Sequence, residues 1–266
     1  MKRIGFLGTV INPLKPSSVA PELHGDLPQG HELKAFPTRV GAFPSTEVEK
    51  AMQAIGFLDA GLRAAEDGCD AMVIDSLGDY GIEALHDALG VPVIGAGAAG
   101  LAASSRGQRR FAIVTVWPES MNFVPLALMQ KRRVEELCVG IRNVADDSVL
   151  DRLAGPDGYL EQVHRGNDEI IARILKAIDE CVAEGAQAIM LGCTCMSPIA
   201  ARVAAKVDVP VINPLREAAV LAVSQAAESV PGERIRTGRG ATIRAMVEAI
   251  SHEPAEDCPV CVIAAD

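Results

Sequence analysis

The stretch Gly185–Asn213, GAQAIMLGCTCMSPIAARVAAKVDVPVIN, decides how the rest of the chain is read. An apolar run, Ala188–Leu191, breaks at Gly192, and a helical pattern restarts after Cys193. Val209–Asn213 is a second apolar run. A short run that stops at glycine and resumes with helical spacing predicts a buried strand, a tight turn, a helix and a second strand. In such a unit the C-terminal end of the strand and the start of the helix form the edge that faces ligands. Cys193 stands on that edge.

The pattern occurs twice. Gly68–Gly95 reads GCDAMVIDSLGDYGIEALHDALGVPVIG. Gly68 aligns with Gly185, Ala71 with Ala188, Ile74 with Leu191 and Ser76 with Cys193. The VPVI of Val91–Ile94 then falls on the VPVI of Val209–Ile212 with one residue of slippage. A weaker match lies upstream of each copy, where Gly8-Thr9-Val10 precedes Pro13 and Val114-Thr115-Val116 precedes Pro118. Such self-similarity means two copies of one supersecondary unit. The expectation is two similar halves facing each other, with Ser76 and Cys193 as equivalent positions.

Composition agrees. The chain has 266 residues, 49% of them hydrophobic and only 3% aromatic. Ala, Val, Ile and Gly suit parallel sheet covered by small-residue helices. Strands alternating with helices give an α/β class with right-handed crossovers. Two sheets are expected, with the active site in the cleft between domains. The first domain is expected over 1–98 plus 214–252, the second over 99–213, and a tail over 253–266. The net charge of −10 argues against nucleic acid and anionic membrane as partners. No apolar run approaches the roughly 20 residues of a membrane span. The opening MKRIGFLGTVINP reads as the first strand of a cytoplasmic protein, since its apolar run breaks at Asn12-Pro13. Seven scattered cysteines fit reduced thiols better than a disulfide framework.

In order, strands are expected at Arg3–Val10, His31–Phe36, Ala71–Asp75 and Val91–Gly95 in the first half. Thr46-Glu47-Val48-Glu49 is a capping box opening a long helix to about Glu66. Further helices are expected from Tyr80 to Leu89 and from Ala98 to Arg106. In the second half, strands are expected at Arg110–Val116 and Glu136–Arg142. Tyr159–Glu184 carries Ile170, Ile171, Ile174, Leu175, Ile178 and Val182 at helical spacing. Helices at Pro214–Glu228 and Ala241–Ser251 are expected to return to the first half.

A thiol at a helix N-terminus has its pKa lowered from about 8.5 by the dipole and by free backbone N–H groups. Such a thiol is a usable base at neutral pH. The same N–H groups can hold a carboxylate or an enolate oxygen. Cys193 is therefore suited to take a proton from a carbon next to a carbonyl, where an inert buried cysteine is the plainer alternative.

On Leu191-Gly192-Cys193-Thr194-Cys195-Met196, Ile11-Asn12-Pro13, Asp75-Ser76-Leu77-Gly78-Asp79 and Pro92-Val93-Ile94-Gly95, the chain resembles the aspartate/glutamate/hydantoin racemase superfamily. Asp79 and the VPVIG segment bring it nearest the hydantoin racemase branch. The resemblance implies two α/β domains related by a pseudo-twofold axis, no metal, no PLP or other cofactor, and an isomerase acting on a small carboxylate or hydantoin. It also implies two cysteines facing each other across the substrate, and a homo-oligomer. The chain departs from that pattern at Ser76, which stands where the first thiol belongs. Cys69 lies seven residues earlier and is expected at the wrong end of its strand. Three explanations stay open: a one-thiol member like the arylmalonate decarboxylases, an isomerase using Cys193 as nucleophile like the maleate isomerases, or a serine introduced to trap a substrate.

Thr115, at the end of the second half's first strand, Asn12 in the equivalent place of the first half, and Thr194 are candidate substrate-binding residues. Asp79 either orients the Ser76 loop or meets a ureido group. For all four the alternative is ordinary turn and capping chemistry. Gly95-Ala96-Gly97-Ala98-Ala99-Gly100 fits the dinucleotide fingerprint and supports an NAD-dependent oxidoreductase as a competing class. Its position in the fourth strand unit favours close helix–strand packing instead. Cys258-Pro259-Val260-Cys261 is a lone C-x-x-C, short of a zinc ligand set. The five histidines show no metal spacing. A non-catalytic binding protein on the same two-lobed fold is the third class, set against the intact Cys193 turn.

Overall fold

The computed structural model describes residues 1–8, 19–27, 30–39, 44, 46–153, 157–228 and 232–251. Asn12 and the C-x-x-C tail lie outside the described residues.

The chain divides into two compact units, Met1–Gly95 with Ala218 onward, and Ala96–Glu217. The first unit contains β1 (Lys2–Gly8), α1 (Leu23–Asp26), β2 (His31–Pro37), α2 (Glu47–Glu66), β3 (Ala71–Asp75), α3 (Ile82–Ala88) and β4 (Val93–Gly95). These four strands form one parallel sheet in the order β2-β1-β3-β4. The capping box is present: Thr46 accepts from the Glu49 N–H, and the Glu49 carboxylate accepts from the Thr46 N–H at 2.7 Å. The helix it opens buries Phe57, Ala60, Leu62, Ala64 and Ala65 against Leu7, Met72, Ile74 and Leu85. Leu7 on β1 and the alternate residues Met72 and Ile74 on β3 share that face because strand side chains alternate. Asp59 is fully buried in α2 but carries two guanidinium partners, Arg39 at 2.8 Å and Arg63 at 3.0 Å. Paired in this way, a buried charge is tolerated.

The second unit contains α4 (Ala96–Ser104), β5 (Phe111–Thr115), α5 (Phe123–Arg132), β6 (Cys138–Asn143), α6 (Tyr159–Arg165), α7 (Asp168–Ala183), β7 (Ile189–Leu191), α8 (Ala200–Ala204) and β8 (Val211–Ile212). Its sheet is again parallel, in the order β6-β5-β7-β8. The duplicated order confirms the repeat read from the sequence. α9 (Pro214–Glu228) crosses the boundary into the first unit, and α10 (Gly240–Ser251) packs on α2. α4 packs on α5, β7 and β8, so it groups whole with the second unit. Among the described residues no helix is long and apolar enough to cross a membrane.

Two local expectations are corrected. The single helix expected over 159–184 is broken at Gly166-Asn167. Gly166 closes α6 at φ 67°, and the Asn167 side chain caps α7 by accepting from the Glu169 N–H at 2.9 Å. A left-handed glycine followed by an Asn cap ends one helix and starts another. Within α7, Ile170, Ile171, Ile174 and Ile178 are buried as their spacing implies, while Val182 is exposed and Cys181 turns inward. The segment after Cys193 begins as a 3-10 helix, Thr194–Ile199, before the short α8. Pro198 lies within it, and proline lacks the N–H that a regular α ladder needs.

Candidate active site

Each sheet has its topological switch point between its two central strands, where the chain order reverses. In open parallel sheets, ligands bind outside the carboxyl ends of the strands at such a point. In the first unit that place lies beyond Gly8 and Asp75, and in the second beyond Thr115 and Gly192. Ser76 follows directly on Asp75, as Cys193 follows on Gly192.

The turn of the second unit is built around Thr115. Its buried hydroxyl donates to the Gly192 carbonyl at 3.2 Å and accepts from the Trp117 N–H at 3.3 Å. The Gly192 N–H in turn donates to the Val114 carbonyl at 2.8 Å, continuing the strand pairing by one residue. A side chain at position 192 would strike Thr115, whose Oγ1 lies 2.8 Å from where its Cβ would be. Gly192 is thus required by the side chain opposite. Further anchors fasten the end of β5. The Tyr159 hydroxyl donates to the Val116 carbonyl at 2.8 Å, and burial pushes that phenol up to about 12, so it stays a donor. Asn143 donates to the Trp117 carbonyl at 2.9 Å and exchanges amide bonds with Asn122. Behind the turn, buried Asn213 donates to the Ser197 hydroxyl at 2.9 Å while its Oδ1 accepts from the Leu215 N–H at 3.1 Å, opening α9. Tyr159, Asn143, Ser197 and Asn213 were not singled out in the sequence. Only the Asn-Pro start of a helix at Asn213 hinted at capping.

Cys193 is half-buried at the rim of this frame, and Thr194 and Cys195 beside it are buried. The Cys195 N–H donates to the Cys193 sulfur at 3.1 Å. A hydrogen bond to the charged form favours the thiolate over the thiol. The helix dipole expected behind Cys193 is short, because a 3-10 turn followed by a five-residue helix does not build a full macrodipole. The structure also joins Cys193 to Cys195 as a disulfide, where the sequence favours reduced thiols over a disulfide framework, and leaves Cys69, Cys138 and Cys181 free. One intervening residue on a tight turn brings the two sulfurs together. Proton transfer requires the reduced form.

In the first unit, Ser76 is half-buried, and its hydroxyl accepts from the Gly78 N–H at 3.4 Å. The Asp79 carboxylate is buried against Gly95, filling the space that a side chain there would need. Asp79 adopts φ 47°, a left-handed conformation that Asp tolerates better than most residues. Its backbone N–H closes the turn onto the Ser76 carbonyl at 3.4 Å, and its carbonyl accepts from the Ile82 N–H at 3.2 Å. Asp79 is therefore part of the Ser76 loop. Cys69 lies at the opposite end of β3, fully buried, with its thiol pushed up to about 12 by burial. It has neither the place nor the acidity of a second site thiol.

Strand register revises one equivalence. Leu7 pairs with Ile74 and Val114 with Leu191, so Gly8 is the counterpart of Thr115. Asn12 lies four residues further on, outside the described residues. The glycine fingerprint also resolves into packing. Gly95 makes room for the Asp79 carboxylate, and Gly100 lets α4 approach Met190 and Pro214, whose nearest atoms lie 2.8 and 2.9 Å from the missing Cβ. Among the described residues no group of three or more His, Cys, Asp or Glu stands together to hold a metal ion.

Residues 18–222 match the family described as Asp/Glu/Hydantoin racemase, and the chain belongs to that family. Its kinship makes it an enzyme of the isomerase class. The hydantoin racemase of Paenarthrobacter aurescens is 28% identical over 222 residues, which are 81% of this chain and 89% of that protein. The hydantoin racemase of Rhizobium meliloti is 30% identical over 193 residues, 72% of this chain and 75% of that one. Among solved structures, the allantoin racemase of Klebsiella pneumoniae matches with a TM-score of 0.71 at 22% identity, covering 91% of this chain and 99% of that chain. An arylmalonate decarboxylase matches with a TM-score of 0.56 at 17% identity, covering 89% and 96%. At these identities the structural likeness speaks for the fold.

Proposed function

We propose that this chain is a cofactor-independent racemase that removes and returns a proton at a carbon next to a carboxylate or amide carbonyl, on an amino acid or hydantoin type of substrate. Reduced Cys193 is the acid/base. Ser76 occupies the partner position, and Thr194 offers polar groups beside the thiol. The observation that carries the reading is the Cys193 turn itself. It holds a half-exposed sulfur at a switch point with a backbone N–H aimed at it. The named relatives include hydantoin and allantoin racemases, which supports a ring amide or ureido substrate. A homo-oligomer in the reducing cytoplasm is the expected working form, and light scattering after gel filtration measures the first of these.

A second reading rests on Ser76. A serine hydroxyl is a far weaker acid than a thiol, and the one seen here serves its own turn. A one-cysteine decarboxylase protonating an enediolate, or a cis–trans isomerase of the maleate type, needs only Cys193.

Solvent deuterium exchange at the α-carbon, followed by proton NMR over a panel of amino acids and C5-substituted hydantoins, separates these readings. Racemisation in Ser76→Cys with little exchange in the parent chain identifies a racemase lacking its second thiol. Exchange with retention in the parent chain, abolished by Cys193→Ala, identifies one working face. No exchange in any variant sinks the racemase reading for that panel and turns the assay to arylmalonates and maleate.

A further inference from the structure

Cys193 and Cys195 are separated by Thr194 alone, and the turn after β7 sets their Cα atoms 5.2 Å apart. That lies inside the roughly 4.4–6.8 Å that a disulfide spans. The two sulfurs differ in access. Cys193 is half-buried, whereas Cys195 is only 5% exposed. A small oxidant arriving from solvent meets Cys193 first. The Cys195 N–H that faces the Cys193 sulfur favours the thiolate, the form that reacts. The other cysteines among the described residues, Cys69, Cys138 and Cys181, are free. Burial holds their thiols protonated, which makes them poor nucleophiles.

We propose that Cys193 and Cys195 form a reversible oxidation site, with a small hydroperoxide as oxidant and Cys195 as the resolving thiol. The Cys193 thiolate attacks one peroxide oxygen and the O–O bond breaks. With hydrogen peroxide, the departing hydroxide takes up a proton and leaves as water, and Cys193 becomes a sulfenic acid. The Cys195 sulfur then attacks the Cys193 sulfur. The S–S bond forms, the S–O bond breaks, and the hydroxide leaves with the Cys195 proton as a second water. Two thiols have lost two electrons and two protons, and the peroxide has been reduced to two waters. A dithiol reverses the step by exchange. Pairing within the turn intercepts the sulfenic acid before it climbs to the irreversible sulfinic state. The consequence for activity rests on the proposed role of Cys193, whereas the chemistry of the pair does not.

The full-length reduced chain is desalted, exposed to hydrogen peroxide, blocked with iodoacetamide and mapped by tryptic mass spectrometry. The tryptic peptide 177–202 carries Cys181 as well as this pair, and fragment ions assign each modification to its residue. The expected result is loss of two hydrogens from that peptide, no alkylation of Cys193 or Cys195, and recovery of both thiols with dithiothreitol. Cys195→Ser treated in the same way is expected to gain oxygen at Cys193 that dithiothreitol does not remove. Oxygen-bearing Cys193 in the parent chain, with no cross-linked peptide, overturns the proposal. The parent map decides this without relying on the variant's folding. A cross-link that forms and reverses while α-proton exchange stays unchanged supports the oxidation site and sinks the assignment of Cys193 as acid/base.

Discussion

The Ser76 and Cys193 turns occupy the same place in two copies of one sheet, yet they solve the same crowding problem in opposite ways. In the first unit the glycine is on the central strand: Gly8 leaves room for Asp75, whose Cβ would lie 2.8 Å from a side chain there. In the second unit the side chain is on the central strand, as Thr115, and the glycine sits at the turn, as Gly192. Only one of each facing pair can carry a side chain. Where that side chain is Thr115, its hydroxyl ties the strand end to the residue before the sulfur. Where it is Asp75, the serine that follows is held by the Gly78 N–H of its own turn. The comparison teaches that the duplicated backbone sets where the two equivalent turns stand, while a single exchanged pair sets how each turn is anchored.

Cys193→Ala tests the strongest form of that contrast. Loss of a positioned acid/base costs typically 10²–10⁴-fold, so α-proton exchange should fall by about a thousandfold while Ser76→Ala lowers it far less. Equal losses in the two variants would erase the distinction between the turns.

Gly192→Ala comes next. The added methyl meets Thr115, and forced overpacking costs roughly 1–3 kcal/mol. Urea unfolding should show that loss, and adding Thr115→Gly, which copies the arrangement of the first unit, should relieve the clash, so that the double variant loses less than the sum of the two single losses. Losses that simply add would mean that Thr115 is not the obstruction.

Thr115→Val removes the hydroxyl at nearly constant shape. It leaves the Gly192 carbonyl and the Trp117 N–H without that partner, each unmade buried bond costing roughly 1–3 kcal/mol. The expected signature is a drop in kcat with KM little changed, because the hydroxyl bonds the turn. A rise in KM alone would return Thr115 to direct substrate contact.

The smallest effect concerns the buried thiols. Cys69 is pushed up to about 12 and Cys181 to about 11 by burial, against about 8.5 for a free cysteine. Above that value the unfolded chain has released protons that the folded chain retains, so stability falls as pH rises. The contribution is complete below about pH 8.5 and is lost progressively up to about pH 12. Cys69→Ala should flatten the alkaline limb of a stability profile, and an unchanged slope would mean that Cys69 does not titrate on unfolding.

Much of this was legible from residue order alone. The duplication, the strand–turn–helix unit at Cys193, the capping box at Thr46 and the inward isoleucines of α7 depend on local period and on glycine placement. These act over a few residues and leave a pattern that can be read. The break at Gly166-Asn167 was equally local but was masked by apolar spacing that runs on across it.

Residue order alone settles the class of fold, its repetition, and the equivalence of positions 76 and 193 in the two turns. Tertiary structure alone decided how those positions are held. The bond from Thr115 to Gly192 spans 77 residues and that from Tyr159 to Val116 spans 43. The equivalence of Gly8 with Thr115 follows from strand register. Contacts of that kind arise when strands distant in the chain are set side by side, and no local period encodes which side chain will then face which glycine.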